Sequence, residues 1–64
     1  MYSIYVFSRE DADRMNELGF ELYTICYDVT GKQIWGYIAK TQQSFSEVEL
    51  PQGAVVKHGL NMNF

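Results

Sequence analysis

An α+β fold, with a βαββ core, a C-terminal β-hairpin and one helix packed on one face of an antiparallel sheet, is predicted for this 64-residue sequence. Three observations carry that expectation. The run Tyr2 to Phe7 has the two-residue period of a strand, residues 8 to 20 hold a helix with a start and a stop signal, and Glu21 to Lys40 contain two β-rich runs around a turn. The length suits one domain, residues 1–64. A domain of this size buries only about 60% of the surface its unfolded chain exposes, so its core is small and a partner surface is one means of adding stability.

The first strand places Tyr2, Ile4 and Val6 on one face and Ser3, Tyr5 and Phe7 on the other. Ser8 with Asp11 three residues on resembles a capping box, with Asp in place of Glu or Gln. Glu10 and Asp11 lie where the exposed N–H groups of a first turn favour anions. A helix over about residues 9–18 follows, with Ala12, Met15 and Leu18 on the core stripe and Glu10, Asp13, Arg14 and Glu17 on the wet face. Gly19 fits the left-handed position after the helix, and Phe20 can complete a Schellman cap by contacting Met15.

The next two strands flank Asp28-Val29-Thr30-Gly31-Lys32. A three-residue loop of Val29, Thr30 and Gly31 sets Cys26 opposite Ile34, Thr24 opposite Gly36 and Leu22 opposite Ile38, with Ile25 facing Trp35 and Tyr23 facing Tyr37 on the reverse side. A two-residue turn at Thr30-Gly31 would mix the faces. In the last third, Ser46 to Leu50 alternates, Pro51-Gln52-Gly53 is a turn signal and Ala54 to His58 is β-rich, which predicts a second hairpin. A helical turn from Ser44 through Val48 competes, because Phe45 and Val48 share a helix face.

These assignments predict a sheet of two unlike faces. Ile4, Val6, Leu22, Cys26, Ile34 and Ile38 form an aliphatic side for the helix, and Tyr5, Phe7, Tyr23, Tyr27, Trp35 and Tyr37 form an aromatic side. The C-terminal segment, through Phe45, Val48, Val55, Leu60, Met62 and Phe64, is one candidate to cover the aromatic side. A protein partner or a second copy is another, because Tyr and Trp dominate interface hot spots. Base stacking is a third, disfavoured by five basic against eight acidic residues and a net charge of −3. The candidate binding residues are therefore Tyr5, Tyr23, Tyr27, Trp35 and Tyr37, with Ile34 and Ile38 reserved for the core. The row Glu10, Asp13 and Glu17 is a second candidate surface, read first as a solvated helix face.

Composition excludes several classes. At 47% hydrophobic and 16% aromatic, the chain lacks the signature of a disordered protein. Its single cysteine, Cys26, cannot form an internal disulfide, which favours a reducing compartment. No signal-peptide pattern and no apolar run of the roughly 18 residues that a membrane span needs are present, so a soluble, cytoplasmic protein is expected. Cys26 and His58 are the sole thiol and imidazole, with no third group to orient the histidine, so no catalytic residue is assigned. No paired Cys or second His offers a metal site, and no cofactor is expected.

The stretches Leu18-Gly19-Phe20-Glu21-Leu22, Asp28-Val29-Thr30-Gly31-Lys32 and Ile34-Trp35-Gly36-Tyr37-Ile38 together resemble small uncharacterised domains encoded in bacterial prophages and mobile elements, in which a short helix ending in Gly-Phe precedes a β-hairpin. The resemblance covers about the first 40 residues and carries no functional residue across. It implies a prophage or mobile-element origin more than an activity, and from that origin a short non-enzymatic chain that binds and blocks or redirects a host or rival protein. A protein-binding module of phage-inhibitor type is thus the expected function, with a nucleic-acid-binding module or a structural homodimer as the alternatives.

Overall fold

A computed structural model of the chain describes residues 1–59. The elements run β1 (Tyr2–Val6), α1 (Arg9–Glu17), β2 (Glu21–Tyr27), β3 (Gln33–Ala39), α2 (Gln43–Ser46) and β4 (Val55–His58). The strands form one sheet in the order β2-β3-β1-β4, and every neighbouring pair is antiparallel. The α+β class and the antiparallel sheet predicted from the sequence are both present.

Elements defined by neighbouring residues follow their local signals. Ser8 is the N-cap of α1, and its hydroxyl accepts from the Asp11 N–H at 3.1 Å. At the other end the Gly19 N–H donates to Asn16 O and the Phe20 N–H to Met15 O, with Gly19 at φ 88. This is the Schellman bond pair. The β2–β3 loop is the three-residue one: the Asp28 N–H donates to Lys32 O at 2.9 Å, the Gly31 N–H to Asp28 O at 3.0 Å, and Gly31 has φ 87. Cys26 pairs with Ile34, Thr24 with Gly36 and Ile25 with Trp35, as the loop length requires.

The long-range pairing differs from expectation and moves the helix to the other side of the sheet. Ile4 pairs with Tyr37, Val6 with Trp35 and Tyr2 with Ala39. The even positions of β1 therefore share a face with the odd positions of β3. The helix lies on that face, where Ala12 and Met15 join Ile4, Val6, Tyr37 and Ala39 in the core. The helix thus packs on Tyr37 and Trp35 rather than on Ile34 and Ile38. Ile34 is buried on the opposite face and Ile38 is only half-buried.

A bulge at Tyr23 alters the hairpin a second time. Beyond it Leu22 pairs with Tyr37 and Glu21 with Ile38, so Leu22 joins the helix face and the predicted Leu22–Ile38 and Tyr23–Tyr37 pairs do not form. The opposite face is crowded around Gly36. A Cβ there would sit 2.6 Å from Thr24 Cγ2, 3.1 Å from Tyr5 Cε1 and 3.3 Å from Tyr23 Cε1. Two tyrosine rings and a threonine occupy the space that the glycine leaves.

The C-terminal hairpin is also replaced. Ser46 to Leu50, expected as its first strand, forms no strand; the competing helical turn is present instead as the short helix α2, and β4 pairs with β1, with Tyr2 opposite His58 and Ile4 opposite Val56. The open edge of β1 offers the apolar ladder that β4 completes. Phe45 at 5.3 Å and His58 at 5.0 Å meet the Tyr2 ring edge-on, and Leu50 and Ala54 pack on the core. Gly59 then turns at φ 89, accepts from the Ser3 hydroxyl and donates its N–H to Met1 O. Leu60, Met62 and Phe64, named above as candidate cover for the aromatic side, lie outside the described residues.

Candidate functional site

The five aromatics proposed as one surface are divided between two faces. Tyr5 and Tyr23 flank Gly36 on one side, with their hydroxyls 2.9 Å apart. Trp35 and Tyr37 lie on the helix side, and Tyr27, two residues on from the Trp35 partner Ile25, joins them there. Tyr5 and Tyr37 have no exposed area. The Tyr37 hydroxyl donates to Ala12 O at 3.0 Å and ties β3 to the helix. Burial, followed by the hydrogen bond with the Tyr23 hydroxyl, pushes the Tyr5 phenol above its ordinary value. Burial, then the Asp13 carboxylate, does the same to Tyr37. Both rings serve the fold. The five candidates therefore do not form one aromatic platform.

What is left accessible is a strand edge. β2 stands at one end of the sheet order, with β3 on one side and, among the described residues, no strand on the other. Among the described residues, neither the core nor the side chains packed against it include any from β2. Leu22, Ile25 and Tyr27 are 41%, 46% and 65% exposed on the helix side of the sheet, beside half-buried Trp35. The Asp28 N–H points at Lys32 O on β3. By the alternation of an antiparallel ladder the backbone groups of Cys26 point the same way, and those of Ile25 and Tyr27 point outward from the sheet.

The hairpin that presents this edge is held from its turn. The Asp28 carboxylate accepts from the Thr30 N–H at 2.8 Å, the Thr30 hydroxyl at 2.6 Å and the Lys32 N–H at 2.9 Å. The Thr30 hydroxyl first, and then the Lys32 N–H, hold the Asp28 carboxyl below its ordinary value. Val29 projects from the same loop fully exposed.

Tyr27 and Trp35 are therefore the sequence-derived candidates that this edge retains. Leu22 and Ile25 belong with them, although Leu22 was expected in the core. The absence of Lys or Pro from Glu21 to Tyr27, both of which commonly blunt an edge, is the one signal that could have marked the strand. The acidic row is exposed and locally paired, with Arg9–Asp13 at 3.7 Å and Arg14–Glu17 at 3.4 Å. Glu10 and Pro51 line the same shallow depression. That pattern is a solvated helix face.

Cys26 and His58 are not brought together. They occupy the two outer strands, three strand spacings or roughly 14 Å apart, and pair on opposite faces of the sheet. Among the described residues no group of three His, Cys, Asp or Glu side chains could hold a metal, and no helix is long and apolar enough to cross a membrane. Comparison with protein-family models, curated proteins and solved structures found no match.

Proposed function

We propose that the chain is a non-enzymatic protein-binding module that works by adding a strand to the β2 edge. The observation that carries this reading is the coincidence, on one strand, of a backbone edge that no described strand pairs and three exposed apolar side chains, Leu22, Ile25 and Tyr27. An open edge is a template for a further strand, and side chains alternating along it supply the selectivity. Glu21 is the sole charged residue of β2, so such an interface forms with little ionic contribution.

The test uses the chain and its Ile25→Lys/Tyr27→Lys variant as baits in a nuclease-treated lysate, with circular dichroism confirming that both are folded. Protein captured by the wild type, retained in high salt and lost with the variant is the expected result. Capture that disappears on nuclease treatment, or that the variant leaves unchanged, overturns the reading. Nucleic-acid binding would also weaken steeply with salt.

A further inference from the structure

We infer that the β2 edge pairs with the β2 edge of a second copy, antiparallel about a two-fold axis through Cys26. The inference rests on the strand-addition reading above and names its occupant. The outward backbone groups of β2 belong to Ile25 and Tyr27, so an incoming antiparallel strand must present its own outward pair there. A second β2 does this in a register that sets Ile25 opposite the Tyr27 of its partner and Tyr27 opposite its Ile25. Each of those two pairs then exchanges both backbone hydrogen bonds. The exposed side chains meet on the same face, a β-branched residue against an aromatic one, which is a favourable cross-strand pair.

Neighbouring registers fail on the same geometry. Centring on Ile25 sets Tyr27 against the partner's Tyr23, which the bulge has turned to the other face. Centring on Tyr27 sets Ile25 against Val29, beyond the end of the strand.

Charge also favours this edge for self-association. Glu21 falls outside the Thr24 to Asp28 overlap. Asp28 lies opposite neutral Thr24 of the second copy, with its carboxylate already engaged by the Thr30 and Lys32 donors. The acidic row Glu10, Asp13 and Glu17 is on the helix, which packs on β1 and β3 rather than on β2, so two acidic faces are not brought against each other. A helix-to-helix dimer of a chain with net charge −3 would press those rows together. A single strand pair is a small interface, which places the dimer among weak, concentration-dependent ones.

The proposed axis supplies its own probe. Cys26 would face its copy in a non-hydrogen-bonded pair, where opposing Cα atoms lie about 4.5 Å apart, within the range a disulfide spans. The experiment is sedimentation of the purified chain over a concentration series, with copper-phenanthroline oxidation as the register readout. That reaction joins two thiols, passing their two electrons to the oxidant and releasing two protons. Expected are reversible dimers, a Cys26-linked dimer on oxidation, dimers without the link in Cys26→Ser, and loss of both dimer and link in folded Ile25→Lys. A monomer at every concentration, a dimer that Ile25→Lys leaves intact, or a wild-type dimer that oxidation leaves without the Cys26 link would each overturn the inference. If the chain is monomeric while the edge variant still abolishes capture from lysate, the second copy is wrong and the strand-addition reading stands. If the variant changes neither assay, both are wrong.

Discussion

The centre of the sheet and its β2 edge contain the same kinds of residue and use them oppositely. Tyr37, on β3, is fully buried beneath the helix, whereas Tyr27, at the end of β2, is 65% exposed. Tyr5 and Tyr23 show the same contrast across the other face: the Tyr5 ring is closed in and its partner is half-buried. Tyr37 and Tyr5 are core because strands flank them on both sides and the helix or the Tyr23 ring covers them, whereas Trp35, beside the edge, is half-buried. On an outer strand an aromatic side chain keeps half its surroundings for something else. Aromatic content therefore does not mark exposed surface in this chain, whereas an outer place in the strand order leaves Tyr27 exposed.

The comparison predicts a steep gradient of mutational cost. Tyr37→Ala should remove about 3–5 kcal/mol, the range for emptying a buried aromatic site. In a folded unit of this size that is most or all of the stability, and denaturant titration should find the variant largely unfolded. A cost no greater than that of Tyr27→Ala would break the distinction between centre and edge.

Next in size is Gly36→Ala, which drives a methyl group into Thr24, Tyr5 and Tyr23 and should cost about 1–3 kcal/mol by overpacking. Thr24→Ser removes the closest of those atoms, Cγ2. The double variant Gly36→Ala/Thr24→Ser should therefore recover part of the loss in a double-mutant cycle. Strict additivity would show that β2 and β3 do not approach as closely at the bulge as described.

A smaller effect separates the ring of Tyr37 from its hydroxyl. Tyr37→Phe keeps the packing and loses the bond to Ala12 O, at a cost of about 0.5–1.5 kcal/mol. The same hydroxyl gives a pH signature. Tyr37 and Tyr5 both have raised folded-state values, so their contribution to stability is fully present below the unfolded tyrosine value of about 10 and is lost as pH rises above it. Melting temperatures followed from neutral to strongly alkaline pH should fall for the wild type and fall less for Tyr37→Phe. Equal slopes would remove Tyr37 from the account.

At the hairpin turn the sign reverses. The folded-state value of Asp28 is depressed, so its contribution is present above the ordinary carboxylate range and lost as pH falls through the folded-state value. Asp28→Ala should melt below the wild type at neutral pH, and the gap should narrow in acid. A gap that is constant with pH would leave the turn hydrogen bonds without an ionic component.

The smallest expected effect is at the edge itself. Tyr27→Ala, measured in dilute monomeric protein, should change stability by no more than about 0.5 kcal/mol. A larger loss would mean that the Tyr27 ring packs on its own chain and would take it off the list of edge contacts.

Most of what the sequence predicted correctly lies within short reach along the chain. Ser8, Gly19 and Phe20 mark both ends of the first helix, and Asp28 to Gly31 define a loop whose length dictates which residues of β2 and β3 oppose each other. The candidate surface was drawn by extending that hairpin parity to β1, and there it failed. No turn connects β1 to β3, so nothing local ties Ile4 to Ile38 rather than to Tyr37. The observed register sets Ile4 and Val6 against Tyr37 and Trp35, and it puts the helix on the side for which the C-terminal segment, a protein partner or a nucleobase were the candidate covers. Of the five aromatics, Tyr27 and Trp35 stay with the candidate edge, Tyr5 and Tyr37 are core, and Tyr23 packs beside Tyr5.

The sequence by itself determined the α+β class, the bounds and caps of α1 and the geometry of the β2–β3 loop, because each depends on hydrogen bonds and dihedral preferences of residues a few positions apart. Only the tertiary structure decided which face the helix covers, that β4 completes β1 instead of forming a hairpin, and that β2 is left at the edge. A strand's two-residue period defines two faces without ranking them. The ranking comes from how Tyr37, Met15, Ile4 and Val6 fill one space together while Gly36 yields the other to Tyr5 and Tyr23, and that choice is made by contacts between residues far apart in the chain.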